Sequence, residues 1–301
     1  MPSVALKIDV DTDRGTLEGV PRLADLFERL NVRATFLFSL GPDQTGRAIK
    51  RAFRRGFMGK VRRTSVLQHY GLKTLLYGTV LPGPHIGRRR AALMRDIERR
   101  GFEVGVHTYN HVKWQDNVAT AAEDWTRREL TLARDQFVEI FGHAPVMHGA
   151  AGWQVNRYVP ALEQELGFRY ASDARGTCPF IPVVNGREIA IPQLPTTLPT
   201  LDELMGREDI TPADPVEHLL ALVGRAPETD QVYTLHAELE GGHFLGSFER
   251  LLRGWQADGA RLIDMAAYAS VLDPSRLPRC EMTAGTVEGR SGTLAHQSPP
   301  V

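Results

Sequence analysis

Apolar runs and amphipathic stretches alternate along this chain. VALKIDV (4–10) is apolar on both of its alternating faces, the pattern of a strand buried on two sides. Residues 19–30 place Leu23, Leu26, Phe27 and Leu30 on one face of a helix. RATFLFSL (33–40) reads as a second strand, and residues 88–100 as a helix stopped by Gly101. GFEVGVH (101–107) is a strand, and residues 118–141 a long helix ended by Gly142. PVMHGA is a short strand, 156–166 a helix stopped by Gly167, and FRYASD (168–173) a strand. Residues 174–200 are rich in Pro and Gly, with a strand-like EIAIPQL inside. Then come a helix at 215–223, the strand QVYTLHAE (231–238), a helix at 248–258, the short strand ARLIDM and the helix MAAYASVL. Such alternation predicts a parallel sheet, and the number of strands suits an α/β barrel. From about Thr283 large apolar groups are scarce, so residues 283–301 are expected to be a disordered tail on a single unit spanning 1–282.

Composition refines this picture. The chain has 301 residues, 42% hydrophobic and 24% charged, without a run of eighteen apolar residues, so a membrane span is not expected. MPSVALKI leads straight into acidic residues and is not a signal peptide, so the chain is expected to stay in the cytoplasm. Cys178 and Cys280 lack C-x-x-C spacing and read as reduced thiols. Net charge is zero but unevenly spread. Residues 44–90 hold twelve Lys or Arg and no acid, which leaves 24 basic and 36 acidic residues elsewhere. Within this stretch Arg51, Arg54, Arg55, Arg62 and Arg63 interleave with Ile49, Phe53, Phe57 and Met58. Basic and large apolar residues together suit the surface of an anionic membrane, with a solvated insertion or a nucleic-acid contact as the other readings.

The chemically suggestive residues fall at C-terminal ends of predicted strands: Asp9, Asp11, His107, His148, Asp173 and His236. In parallel barrels that face carries the active site. His107 and His111 are four residues apart after an apolar strand and can reach one metal ion from one side. Asp9 and Asp11 end another strand. Two His and one carboxylate, with positions left for water and substrate, make a catalytic metal site. Zinc suits that donor set best; manganese, cobalt and nickel fit it too.

In this order, the D-V-D of KIDVD, the HTYNH segment, the strand end TLHAE and the ATF of RATFLF resemble the NodB-type polysaccharide deacetylases, carbohydrate esterase family four, over roughly residues 4–275. The resemblance implies a distorted (β/α) barrel. It implies Asp9 as general base, Asp11, His107 and His111 as metal ligands, and His236 as general acid. Asp173, with Arg175, lies where the family carries an acidic residue that orients the catalytic His. The third motif, usually Arg-x-Pro with a downstream aromatic, is replaced by MHGAAGW, which leaves open which residue supports the base; His148, Gly152 and Trp153 are candidates by position. YASDARG, QLPTTLPTLDE and YTLHAELEGG place the chain nearest the branch that removes a formyl group from an undecaprenyl-phosphate-linked aminoarabinose, a step in lipid A modification and resistance to cationic peptides. That implies work at the cytoplasmic face of the inner membrane. His148, Trp153, Arg175, Glu238 and Glu240 are the candidate substrate contacts, with Arg51, Arg54, Arg55, Arg62 and Arg63 facing the membrane. No nucleic acid or protein partner is expected. Amide hydrolysis agrees with the residues: Asp9 can accept the proton of water and His236 can protonate the departing nitrogen. The rival readings are a deacetylase of another N-acyl sugar and a non-catalytic lipid- or glycan-binding protein.

Overall fold

The computed structural model describes residues 2–47, 76–79, 81–290 and 292–301. Its strands in chain order are β1 (Ser3–Val10), β2 (Thr35–Ser39), β3 (Glu103–Thr108), β4 (Met147–His148), β5 (Tyr170–Ala171), β6 (Ile181–Val184), β7 (Arg187–Glu188), β8 (Gln231–His236), β9 (Arg261–Ile263), β10 (Arg279–Gly285) and β11 (Leu294–Pro300). Its helices are α1 (Val20–Leu30), α2 (Ile86–Arg99), α3 (His111–Asn117), α4 (Glu123–Phe141), α5 (Val159–Leu166), α6 (Leu201–Leu204), α7 (Pro215–Gly224), α8 (Leu245–Ala257) and α9 (Met265–Ser270).

The strand–helix alternation builds the expected distorted parallel barrel. Seven strands form one sheet in the order β5-β4-β3-β2-β1-β8, with β9 pairing β1, and every pairing in it is parallel. The two-residue period of β1 separates two environments. Val4, Leu6, Ile8 and Val10 pack outward with Phe27, Phe36, Phe38 and Phe248 beneath the helices. Ala5, Lys7 and Asp9 turn inward, where Ala5 meets Leu37, Met147 and Val232. In cross-strand register Asp9 lies beside Leu37 on one side and His236 on the other. The barrel wall between β5 and β8 is completed by an irregular segment, 193–198. Leu194 N donates to Ala171 O (2.7 Å) and Thr197 N to Val232 O (3.1 Å), while the Thr196 and Thr234 hydroxyls meet at 2.6 Å. The first residues of this segment, Gln193 and Leu194, end the stretch read as EIAIPQL (188–194). Pro192 lacks an N–H for a ladder, and only Arg187–Glu188 at its edge is a strand.

Two further differences have clear causes. The helix expected over 118–141 begins at Glu123, because Asn156 Nδ2 donates to the carbonyls of Val118 (2.8 Å) and Ala121 (3.3 Å) and holds that turn apart from α4. The tail expected to be disordered from Thr283 is instead a hairpin, β10–β11, in a second sheet of order β11-β10-β6-β7. Few apolar groups are needed there. Cys280 and Ala295 close on Phe180 and Ala174, and the backbone carries the rest, with Arg175 N donating to Ala295 O and Gln297 N to Arg175 O, each at 2.8 Å. The residues Arg51, Arg54, Arg55, Arg62 and Arg63 lie outside the described residues. Among the described residues no helix is long and apolar enough to cross a membrane.

Candidate active site

The strand ends of β1, β3 and β8 converge. β3 stops at Thr108, and the Asn110 side chain then caps α3 by accepting from Lys113 N (3.0 Å). This tight strand-to-helix turn makes His111 the first residue of α3 and brings it back over His107, with ring centroids 5.3 Å apart. His107 Nδ1 donates to Gly149 O (2.7 Å), so its Nε2 presents a lone pair to the site. Asp11 Oδ1 lies 3.3 Å from Nε2 of both His107 and His111 and has no hydrogen-bond partner among the described residues. Three donor atoms aimed at one point, one of them a buried orphaned carboxylate oxygen, fit a divalent ion. Burial alone would raise the Asp11 carboxyl, but His111 and His107 hold it far below the ordinary carboxylate range.

Glu238 fixes the turn that carries Asp11. Its Oε1 accepts from Asp11 N (3.1 Å), Thr12 N (2.8 Å) and Thr12 Oγ1 (2.8 Å). A Cβ at Gly15 would sit 1.9 Å from that oxygen, which is why glycine follows. Burial, with the Asp11 charge beside it, pushes the Glu238 carboxyl up to about 8. Glu238 also borders an open groove of about 300 Å³ lined by Arg14, Glu18, Arg22 and His243.

Asp9 is buried at the end of β1, its Oδ1 3.7 Å from Lys7 Nζ and 3.8 Å from His107 Nδ1. His236 faces it from β8. His236 N donates to Glu240 Oε2 (2.9 Å), and its Nδ1 lies 3.9 Å from Asp202 Oδ1. Burial would lower the His236 pKa, but Asp202 and Asp11 raise it above the ordinary value. Asp202 is in turn set by Thr200 Oγ1 (2.6 Å) and by Arg290 (3.3 Å), which also bonds Glu203 Oε1 (2.6 Å).

The structure thus brings Asp9, Asp11, His107, His111 and His236 together. It places the remaining expected residues elsewhere. Asp173 does not orient His236. It is fully buried, accepts from Ala150 N and Gln193 Nε2 (2.7 Å each), and faces His148 Nδ1 at 3.1 Å. His148 lies beneath the strand ends with Nδ1 2.5 Å from Glu163 Oε1, closed to any substrate. The His148, Glu163 and Asp173 donors are close enough to hold an ion, but they already bond one another. Trp153 is a buried platform. After Gly152 at φ 62°, its own φ of 51° turns the ring beneath Arg290 (4.5 Å), Arg175 (5.2 Å) and Lys7 (5.4 Å). Arg175 bonds Glu203 and Leu198 O, and Glu240 is sealed in the core. Of the five expected substrate contacts, Glu238 lines the groove described above, whereas His148, Trp153 and Glu240 are almost fully buried. Sequence reasoning missed Asp202, Lys7 and Arg290. A signal for the first existed, since Thr200-x-x-Glu203 is a capping box that opens α6 and presents Asp202 in its first turn.

Comparison with known proteins agrees with this geometry. A family model described as polysaccharide deacetylase matches residues 2–171. A protein of Shewanella sediminis named as a probable 4-deoxy-4-formamido-L-arabinose-phosphoundecaprenol deformylase ArnD is 36% identical over 299 residues, covering 98% of this chain and 94% of its own. A protein of the same name from Wigglesworthia glossinidia brevipalpis is 28% identical, covering 94% and 98%. In three dimensions the chain is similar to a putative polysaccharide deacetylase from Mycobacterium smegmatis, with a TM-score of 0.65 at 21% identity over 95% of this chain and 94% of that one. It is also similar to Puue allantoinase, with a TM-score of 0.60 at 14% identity over 89% of each.

Proposed function

The chain belongs to the polysaccharide deacetylase family and is a hydrolase of amide C–N bonds; from that premise we propose that it removes the N-formyl group of undecaprenyl-phosphate-linked 4-deoxy-4-formamido-L-arabinose, releasing formate and the free amino sugar. The observation that carries this reading is the convergence of Asp11 Oδ1 on His107 and His111 Nε2 at 3.3 Å, with Asp9 and His236 facing each other on adjacent strands. The relatives' name supplies the substrate.

In this reading Asp11, His107 and His111 hold a divalent ion, zinc first among those that suit the donors. When bound, such an ion polarises the carbonyl and lowers the pKa of water to about 7. Asp9, whose Oδ1 is free to accept, takes the proton of the attacking water. His236, kept protonated by Asp202, gives its proton to the departing nitrogen. Asp9 therefore ends the cycle with one proton more and His236 with one fewer, and exchange with solvent restores both. The Glu238-bordered groove, with Arg14, Arg22 and His243 at its wall, suits the phosphate of the lipid-linked sugar. The enzyme works at the cytoplasmic face of the inner membrane, brought there by the basic and apolar stretch 44–90.

The deciding experiment presents formylated and acetylated lipid-linked sugars in anionic vesicles, with and without chelator. Formate release that chelator abolishes supports the reading; preference for the acetylated sugar replaces it with a deacetylase. Replacing Arg51, Arg54, Arg55, Arg62 and Arg63 with Gln should release the protein from the vesicles while sparing a short-chain soluble substrate. Unchanged co-sedimentation would return that stretch to solvent.

A further inference from the structure

Lys7 is an inward-facing lysine in the middle of a buried strand, with zero exposure. An ammonium there is tolerated only if its three donors and its charge find partners. Three partners surround it. Ser172 O accepts at 3.1 Å, Asp9 Oδ1 lies at 3.7 Å and the face of Trp153 at 5.4 Å. Gly149 lies beside the head group: a Cβ there would crowd Leu37 Cδ1 at 2.5 Å while only touching Lys7 Nζ at 3.6 Å. The MHGAAGW stretch itself has no Lys or Arg, and the cation beside Asp9 comes from β1 instead.

Asp9 needs such a partner. Its Oδ1 has no hydrogen bond among the described residues, and the nearest imidazole nitrogen, His107 Nδ1, already donates to Gly149 O. Lys7 and Asp9 are two residues apart on one face of a strand that is hydrogen-bonded on both sides, so their relation is fixed by the most rigid element of the barrel. Asp173, Arg175 and Arg290 complete the charged surroundings: burial lowers the Lys7 pKa, Asp9 and Asp173 oppose that, and Arg175 adds to it.

We infer that Lys7 is the positioning residue for Asp9, holding its carboxylate toward the strand-end site through a buried contact that originates on the same strand. The inference rests on the reading of Asp9 as general base.

The test is a double-mutant cycle on the full-length, metal-loaded protein, with kcat, KM, metal content and thermal unfolding measured for each variant. Lys7→Met keeps the length and apolar stem but removes the charge. It should lower kcat about 10- to 100-fold through loss of the buried charge contact, with KM and metal content unchanged. Lys7→Arg should keep kcat within about tenfold, since a cation still faces Asp9. In the Asp9→Asn background, Lys7→Met should cause no further loss, because groups acting as a unit are non-additive. Full kcat in Lys7→Met, loss of its metal, or a loss that multiplies with that of Asp9→Asn would each overturn the inference. Should Lys7→Met fail to fold, Lys7→Arg decides alone: turnover within tenfold supports the inference, and loss beyond a hundredfold with metal intact overturns it. Near-normal turnover in Asp9→Asn itself would instead bring down the reading of Asp9 as base.

Discussion

The Asp11–His107–His111 group and the His148–Glu163–Asp173 group draw on the same side-chain types at neighbouring strand ends, yet they differ in what their donor atoms already touch. In the first, Asp11 Oδ1 is unpartnered and two Nε2 atoms face it at 3.3 Å. In the second, His148 Nδ1 is engaged by Glu163 at 2.5 Å and Asp173 at 3.1 Å, and all three side chains have zero exposure. The second group is bonded within itself through His148 Nδ1, although His148 Nε2 and Glu163 Oε2 are also without partners among the described residues. Burial would lower the His148 pKa, but Asp173 and Glu163 push it up to about 10, so it stays charged as the counter-ion of its own carboxylates. The two groups are joined mechanically, because Asp173 binds Ala150 N while the adjacent Gly149 O orients His107. Imidazole and carboxylate groups thus face one another across an open gap in one group and bond directly to one another in the other.

Substitutions sharpen that contrast. The largest effect belongs to the open group: His111→Ala should lose both bound metal and activity while remaining folded, and elemental analysis showing full occupancy would break the assignment. In the closed group, His148→Leu leaves two carboxylates buried without their cation. It should cost about 3–5 kcal/mol of stability, seen as a lower denaturation midpoint, while the folded fraction keeps its metal because Asp173 still holds Ala150 N. Loss of metal in His148→Leu with normal stability would reverse the two roles. The smallest effect is on pH dependence. A histidine whose pKa is raised in the fold contributes stability that is fully present below about 6.5 and is lost as pH rises toward about 10. Glu163, raised well above its ordinary value by burial and by Asp173, acts in the same direction. The parent protein should therefore lose stability between pH 6.5 and 10, and His148→Leu should lose less over that window. Equal slopes in the two proteins would show that the cluster is not charged as described.

Much of this was legible in the sequence wherever one residue type carries one meaning. The apolar runs marked β1, β2, β3 and β8, and the five residues of the strand-end site announced themselves by type and spacing. What stayed hidden depended on partners far away in the chain. The family resemblance assigns Asp173 to His236 by its place in the chain, and only the folded barrel shows Asp202 facing His236 while Asp173 faces His148. Trp153 and Arg175 look like binding groups by type, but their side chains are engaged by residues more than twenty positions distant, Thr196 for Trp153 and Glu203 for Arg175. The hairpin at 279–300 was illegible for a different reason. Strand pairing is made by backbone groups that every residue shares, so a segment poor in apolar side chains gave no periodic signal.

Arg290, on the connection between β10 and β11, braces Asp202 and Glu203 and overlies Trp153. This gives the chain an order of assembly during synthesis. When a ribosome has delivered Asp9 through His111, every metal-binding side chain exists, but β1 still lacks its neighbours β8 and β9. The acid arrives with His236, and the brace behind its partner Asp202 arrives only with Arg290, 87 residues after Glu203. A nascent chain that has not yet reached the β10–β11 connection would thus hold the strand-end residues without the brace behind Asp202.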